Sequence, residues 1–179
     1  MNVELLADEV QACFSEIHRD VFEGDPVSNP NLRVEVVAAS EAGPGPVVVV
    51  VTPWTVNAMV FPVDTAAEER LPATFRLAGS ARRVLANEIE GLGRYLSVNL
   101  IPDVSTFTDQ DEARAAAAEM GGVFLTQLTA AWEEGSVENP SRRDLFKRLG
   151  GGPGSPEPET PSPPRSAEDR PPSRRDELS

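Results

Sequence analysis

The sequence predicts an α+β domain, in which a mainly antiparallel sheet of about five strands is flanked by an N-terminal and a C-terminal helix. An amphipathic stretch opens the chain at residues 3–22, and a second apolar stripe covers residues 108–132. Short β-branched or alternating runs fill the residues between them. From residue 150 onward the chain is rich in Pro, Ser, Gly, Glu and Arg with almost no apolar side chains, which predicts a disordered tail.

Residues 3–22 have apolar side chains at steps of three and four with acidic residues between them, which predicts a helix with one buried face. The stripe consists of Val3, Leu6, Val10, Phe14, Ile17 and Val21. Cys13 lies beside this stripe, and we expect it to be a buried, inert thiol. His18 has no partner in the sequence, so its simplest position is at the surface or boundary.

Three strands are predicted around a run of five valines at residues 47–51. Residues 32–39 alternate between apolar and polar side chains, and a Gly/Pro loop joins them to the valines, which predicts an antiparallel hairpin. Pro53 then interrupts the apolar run, because proline has no N–H to give to a ladder. Residues 55–61 therefore form a third strand, with Trp54 held at the joint.

Residues 74–78 and 95–101 are two further strand candidates, the second stopped by Pro102. Residues 80–91 predict a short helix between them. Its inward residues are Val84, Leu85 and Ile89, with Gly91 or Gly93 near its C-terminal end.

The last predicted helix covers residues 108–132 and begins with Thr108 as its N-cap, followed by acidic residues that suit the helix dipole. Gly121-Gly122 interrupts its apolar stripe. Glycine lowers helix stability by about 1 kcal/mol relative to alanine, so this pair predicts either a close packing point or a kink.

The net charge is −13, and residues 1–134 carry the whole acidic excess. Such a body disfavours nucleic acid and anionic membranes and favours basic partners, although the same charge can simply keep a protein in solution. The apolar runs are too short to span a bilayer, and the N-terminal residues are acidic where a secretion signal is basic. We therefore expect a cytoplasmic protein.

Catalytic and metal-binding patterns are scarce in the sequence. One Cys and one His on the same predicted helix argue against a disulfide framework and a transition-metal site. No Gly-rich strand–turn–helix unit for a nucleotide is present, and carboxylate pairs such as Glu68-Glu69 lie in polar stretches. We expect no enzyme activity and no cofactor, and interpret the chain as a binding protein.

Two stretches suit binding. Trp54 is either a core residue or an exposed anchor, and the sequence leaves both interpretations open. Residues 141–149, with the sequence SRRDLFKRL, form a compact basic and apolar segment. The alternative for this segment is an ordinary solubilising tail.

A dispersed set of strand ends carries a family resemblance. It consists of Asn29-Pro30, Thr52-Pro53-Trp54 after the valines, Met59-Val60-Phe61-Pro62, Leu71-Pro72 followed by Phe75, and Tyr95-Leu96-Ser97 through Leu100 and Pro102. Together these motifs resemble the HybE/HupJ family of [NiFe]-hydrogenase assembly chaperones over residues 3–149. The departures are Val98 where family members often have a cysteine, a short connection at residues 64–70 without tryptophan, and no Cys-x-x-Cys for a rubredoxin module.

The resemblance implies a cytoplasmic, non-catalytic chaperone that binds the small-subunit precursor of a [NiFe] hydrogenase and delays its export until assembly is complete. The precursor carries a twin-arginine (Tat) signal peptide, and the large subunit or other maturation proteins are further candidate partners. The predicted partner-binding residues are Thr52, Pro53, Trp54, Met59, Phe61, Tyr95, Ser97, Pro102 and Asp103. Asp103 and Glu35 are the acidic groups expected to meet the paired arginines. The alternative function is a generic adaptor with an unrelated basic client.

The resemblance also gives the basic segment a meaning. Arg142, Arg143, Leu145 and Phe146 are similar to a twin-arginine motif, so we expect this segment to mimic the client signal and occupy the chaperone's own site. The predicted organisation is thus a chaperone domain at residues 1–134, the basic segment at 135–149 and the tail at 150–179.

Overall fold

The structure of the chain, a computed structural model, describes residues 2–137. Its elements form a six-stranded sheet with the strand order β1-β2-β3-β6-β5-β4, in which every neighbouring pair is antiparallel. The α+β prediction is confirmed, with one strand more than the sequence predicts. The basic segment and the tail lie outside the described residues, except that the final helix continues to Val137.

Helix α1 covers Val3–Ile17, and a π-helical turn continues it through His18–Phe22. The side chain of Asn2 caps its N-terminus by accepting hydrogen bonds from the backbone N–H groups of Glu4 and Leu5. The predicted inward position of Val21 is wrong, because its side chain is 64% exposed while Phe22 is half-buried. The wider π turn shifts the apolar stripe by one residue.

Three strands follow as a meander: β1 covers Glu35–Ala42, β2 covers Gly45–Thr52 and β3 covers Thr55–Val60. The five valines of β2 are buried on both faces of the sheet, as their unbroken apolar run predicts. Val48 and Val50 pack beneath α1, while Val47, Val49 and Val51 face the opposite side.

The short helix α2 covers Thr65–Glu69, and the chain then enters β4 at Thr74–Leu77, β5 at Ser80–Ile89 and β6 at Gly93–Ile101. The helix predicted at residues 80–91 is therefore wrong. Ala78 and Gly79 have φ values of 46° and 77°, which make a tight two-residue turn that folds β5 back onto β4.

Helix α3 covers Gln110–Val137 as one element. Its N-cap is Asp109 and not the predicted Thr108, since Oδ1 of Asp109 accepts the backbone N–H of Glu112 at 2.9 Å. Gly121 is a close packing point, because a Cβ there would lie 3.0 Å from Cγ2 of Val49 on the sheet.

The sheet lies between the two long helices, so the core has two clusters. The α3 side is built on Phe124 and Leu128, and the α1 side on Leu6, Val10 and Met59. No helix within residues 2–137 is long and apolar enough to cross a membrane.

Candidate partner-binding site

The predicted site residues divide between the core and one end of the sheet. At that end the β2–β3 turn meets the loop that follows the π turn and the loop that joins β6 to α3. We call this place the loop end and define it by His18, Phe22, Asn29, Trp54 and Asp103.

Asn29 ties the three loops of the loop end together. Its backbone N–H donates to the carbonyl of Pro53 at 2.7 Å. Its side-chain amide donates to the carbonyls of Val104 at 2.8 Å and Phe107 at 2.9 Å, and its Oδ1 accepts the N–H of Asn31. The side chain is 7% exposed, so these bonds satisfy a buried polar group that would otherwise be costly.

Trp54 occupies the β2–β3 turn, where Pro53 and Trp54 link Thr52 to Thr55. The hydroxyl of Thr52 donates to the carbonyl of Thr55 at 2.8 Å and closes the turn. The indole ring stacks on Phe22 with centroids 4.2 Å apart and also lies 5.9 Å from the ring of His18. Trp54 is half-buried, so part of an aromatic surface remains open at the loop end.

A cavity of about 450 Å³ lies between the π turn and the following loop. His18, Ser28, Asn29 and Leu32 contribute to its lining together with Glu23 and Asp25, and the ring of His18 stacks on Trp54. Both acidic residues are exposed, and within the described part of the chain neither makes an ion pair. The cavity therefore has two acidic residues in its lining, which suits a guanidinium group.

Asp103 is exposed and follows Pro102, also exposed, at the end of β6. Its Oδ1 accepts hydrogen bonds from the hydroxyl of Ser105 at 2.6 Å and from the Ser105 backbone N–H at 2.9 Å. These two bonds lower the pKa of Asp103, so it stays ionised at neutral pH. Its remaining oxygen faces solvent and can accept a partner's donor.

Glu35 binds other side chains of the protein itself. Its carboxylate accepts two hydrogen bonds from Arg114, at 2.7 and 3.1 Å, and one from the amide of Gln110 at 2.7 Å. The bond from Arg114 is the main cause of a lowered pKa for Glu35. Because this carboxylate joins β1 to α3, the predicted role of Glu35 in meeting a client's arginines has no support in its geometry.

Several predicted contact residues are buried. Met59, Phe61 and Tyr95 lie beneath α1 with 0, 3 and 5% of their surface exposed, and Thr52 and Pro53 are buried in the β2–β3 turn. These five side chains offer a partner no surface in this conformation. Among the other predicted partner-binding residues, Trp54 is half-buried, and Pro102 and Asp103 are exposed. Ser97 is half-buried on the sheet and bonded to Asn87.

Cys13 and Val98 lie on opposite sides of the sheet. Cys13 is half-buried, and burial is the main cause that raises the pKa of its thiol, which keeps it protonated. Val98, at the position of the family's frequent cysteine, is 1% exposed in the cluster beneath α3. Within residues 2–137, no group of His, Cys, Asp and Glu side chains could hold a metal ion.

Sequence reasoning missed the partners of Trp54. His18 and Phe22 are four residues apart and reach the ring together, because residues at i and i+4 lie on one side of a helix. The sequence pattern assigned Val21 to the buried face and not Phe22, so it missed this contact. The signal that could have found Asn29 was its position in a turn-rich stretch before Pro30.

Comparisons with known proteins identify the family of the chain. The sequence profile described as "[NiFe]-hydrogenase assembly, chaperone, HybE" matches residues 5–148. The chain belongs to the HybE family of hydrogenase assembly chaperones. This family match runs from the first turn of α1 past the end of α3. No solved structure matches the chain.

Two curated proteins are similar to this HybE-family chain. The hydrogenase expression/formation protein HoxT of Azotobacter vinelandii is 35% identical over 135 residues, covering 72% of the chain and 86% of HoxT. The hydrogenase expression/formation protein HupJ of Bradyrhizobium diazoefficiens is 30% identical over 112 residues, covering 62% of the chain and 66% of HupJ. The resemblance inferred from the strand ends is thereby confirmed.

Proposed function

We propose that this HybE-family chaperone binds the small-subunit precursor of a [NiFe] hydrogenase through its twin-arginine signal and delays export until assembly is complete. It acts in the cytoplasm and without catalysis. The observation that carries the proposal is the cavity lined by Glu23, Asp25 and His18, because the ring of His18 stacks on the half-buried Trp54. One arginine of the signal meets these two carboxylates, and its apolar neighbours pack on Trp54.

The net charge of residues 1–134 and the local charge at the loop end both support this assignment. Residues 1–134 carry the whole net charge of −13, which attracts a basic peptide from solution. At the loop end, Glu23, Asp25 and Asp103 are exposed and make no ion pair in the described part of the chain. A planar guanidinium can donate hydrogen bonds to two carboxylate oxygens at once, so the site should prefer arginine to lysine.

Isothermal titration calorimetry with a synthetic hydrogenase small-subunit signal peptide tests the proposal. We expect the full chain to bind the peptide, and to bind a twin-lysine version more weakly. Glu23→Gln with Asp25→Asn should weaken binding about three- to tenfold, the range expected for losing two exposed ion pairs. Asp8→Asn with Glu9→Gln makes the same charge change on the exposed side of α1 and should leave the affinity almost unchanged.

Two results would count against this site. Equal weakening by both pairs of substitutions would show a general charge effect with no specific cavity. A Trp54→Ala variant that folds normally and retains full affinity would remove Trp54 from the binding surface. If the wild-type chain does not bind the peptide at all, recognition of the signal itself is wrong.

The basic segment provides a second arm of the same titration. Arg142 and Arg143 lie in a stretch similar to the client signal, and tethering can supply a millimolar effective concentration. If this segment occupies the loop end, a chain ending at residue 137 should bind the peptide more tightly than the full chain. Unchanged or weaker binding would leave the segment as a solubilising tail.

A further inference from the structure

The α1 side of the sheet is covered over only part of its width. Helix α1 packs on β1 and β2 and reaches Tyr95 at the start of β6. Side chains alternate along a strand, so Ser97 and Asn99 project from the same face as Tyr95. The register places Leu85 opposite Ser97, and Asn87 opposite Tyr95, on that face.

Two arginines of the β4–β5 hairpin extend this uncovered surface. Arg83 lies two residues before Leu85 on β5, and Arg76 of β4 pairs with Ala81, so both side chains project from the same face. No helix of the described chain packs over this area. We call it the bare face, and its members are Arg76, Arg83, Leu85, Asn87, Ser97 and Asn99.

Leu85 is the apolar centre of the bare face. Its side chain is 53% exposed, although a leucine in a six-stranded sheet would ordinarily be covered. Asn87 beside it donates to Ser97 at 2.9 Å, so the neighbouring polar groups are already oriented. A single exposed leucine is common on protein surfaces, so Leu85 gains significance only together with the charged residues of the same face.

The β4–β5 hairpin is basic, whereas residues 1–134 as a whole are acidic. Residues 71–87 contain three arginines and no Asp or Glu, within a body whose net charge is −13. Arg19, Arg33, Arg94 and Arg114 each pair with a carboxylate. Within residues 2–137, by contrast, Arg76, Arg82 and Arg83 make no ion pair, and the side chain of Arg76 has only a 3.5 Å contact with the carbonyl of Gly79.

We propose that the bare face docks an acidic segment on the folded body of the client subunit, with carboxylates on Arg76 and Arg83 and an apolar side chain on Leu85. The choice of client rests on the proposed function. The occupant is acidic because Arg83 and Arg76, which make no ion pair among the described residues, lie beside the exposed leucine toward the β4–β5 turn. A second copy of the chain would have to bring its own basic hairpin against this one if the two met symmetrically.

The bare face is placed so that one client can contact both it and the loop end. Ile101 at the end of β6 pairs with Val56, next to the β2–β3 turn that carries Trp54. Because β5 is antiparallel to β6, Arg83 lies toward the same end of the sheet. The basic signal then meets the acidic loop end while the acidic body meets the basic hairpin, and opposite charges fix the orientation of the client.

The affinities of two probes for the full chain distinguish binding at the bare face from binding at the loop end. The probes are a hydrogenase small subunit produced without its signal peptide, and the signal peptide alone. We expect Arg76→Gln with Arg83→Gln to weaken binding of the signal-less subunit about tenfold and to leave the peptide affinity unchanged. The effect should shrink as salt is raised. Ala115→Glu with Ala118→Glu, both on the exposed side of α3, makes the same change in net charge and should have little effect.

A second variant keeps the test independent of arginine. Leu85→Asp places a like charge against an acidic partner and should weaken the same binding without changing the peptide affinity. Circular dichroism confirms that each variant is folded.

The proposal is overturned if the wild-type chain does not bind the signal-less subunit, or if both the hairpin and Leu85 variants bind it normally. Sedimentation showing a dimer that these variants dissociate would instead assign the bare face to a second copy of the chain. Failure of the peptide alone to bind would contradict only the proposed function.

Discussion

The two faces of the sheet differ in how completely they are covered. On one face α3 packs along the strands, and Gly121 lets it approach so closely that an added Cβ would lie 3.0 Å from Val49. On the other face α1 covers β1 and β2 and ends over Trp54, while Leu85 remains 53% exposed on β5. The covered face buries the larger core cluster, and the half-covered face carries the two surfaces that we propose as client-binding sites.

Strand β2, which contains the five valines, packs on both faces of the sheet. Val47, Val49 and Val51 pack toward α3, and Val48 and Val50 pack toward α1. This strand lies between β1 and β3, and both helices contact it and β1. The uncovered strands begin only beyond β3, which separates the recognition surface from the centre of the core.

The largest expected effect lies on the covered face. Phe124 is fully buried and meets Phe75 edge-to-face with ring centroids 4.9 Å apart. Phe124→Ala should lower the free energy of unfolding by about 3–5 kcal/mol, through lost burial and a residual cavity. Urea unfolding followed by circular dichroism measures this loss. Val123→Ala, on the exposed side of the same helix, is the control and should cost far less; equal losses would mean that α3 does not pack as described.

A smaller effect is expected where α3 meets the edge strand. Glu35→Gln removes the charge that Arg114 binds at 2.7 Å, and should cost less than Phe124→Ala because Arg114 is partly exposed. The folded-state pKa of Glu35 is lowered from its usual 4.5, chiefly by the hydrogen bond from Arg114. The stabilisation is therefore complete above the unfolded-state pKa and is lost as the pH falls through the lower folded-state pKa.

Unfolding free energies measured from pH 7 down to pH 3 check this sign. The gap between wild type and Glu35→Gln should be constant near neutrality and close in acid. Glu41→Gln on the same strand is the control, since Glu41 is exposed and makes no ion pair among the described residues. A gap that widens in acid would contradict the assigned direction.

Much of this difference between the faces could be predicted from the sequence. Alternation and β-branched runs predicted five of the six strands, and the Pro53 break placed Trp54 at the β2–β3 joint. Residues 80–91 misled the prediction, because Ala, Arg, Leu and Glu favour helices in isolation. The strand forms because the turn at Ala78-Gly79 and pairing with β6 override that preference. The mistake hid the bare face, since Leu85 counted as inward on a helix.

The candidate site was harder to predict, for two physical reasons. Met59, Phe61 and Tyr95 carry the family pattern but are buried, and a motif does not distinguish a core residue from a contact residue. The acidic cavity depends on the π turn, which bends the end of α1 toward Trp54. No local composition encodes that change of helical phase.

The smallest expected effect tests whether the bare face is truly uncovered. Leu85→Ser should change the free energy of unfolding by less than about 0.5 kcal/mol, because a half-exposed side chain loses little burial. Leu96→Ser is the matched control: Leu96 lies on the paired strand, faces α3 and is 5% exposed, so the same substitution should cost several times more. If the two losses are equal, Leu85 is covered in solution and a second layer lies over β5. If Leu85→Ser is neutral, the exposed leucine does not stabilise the fold, and its position beside Arg83, which makes no ion pair among the described residues, is better explained by a partner.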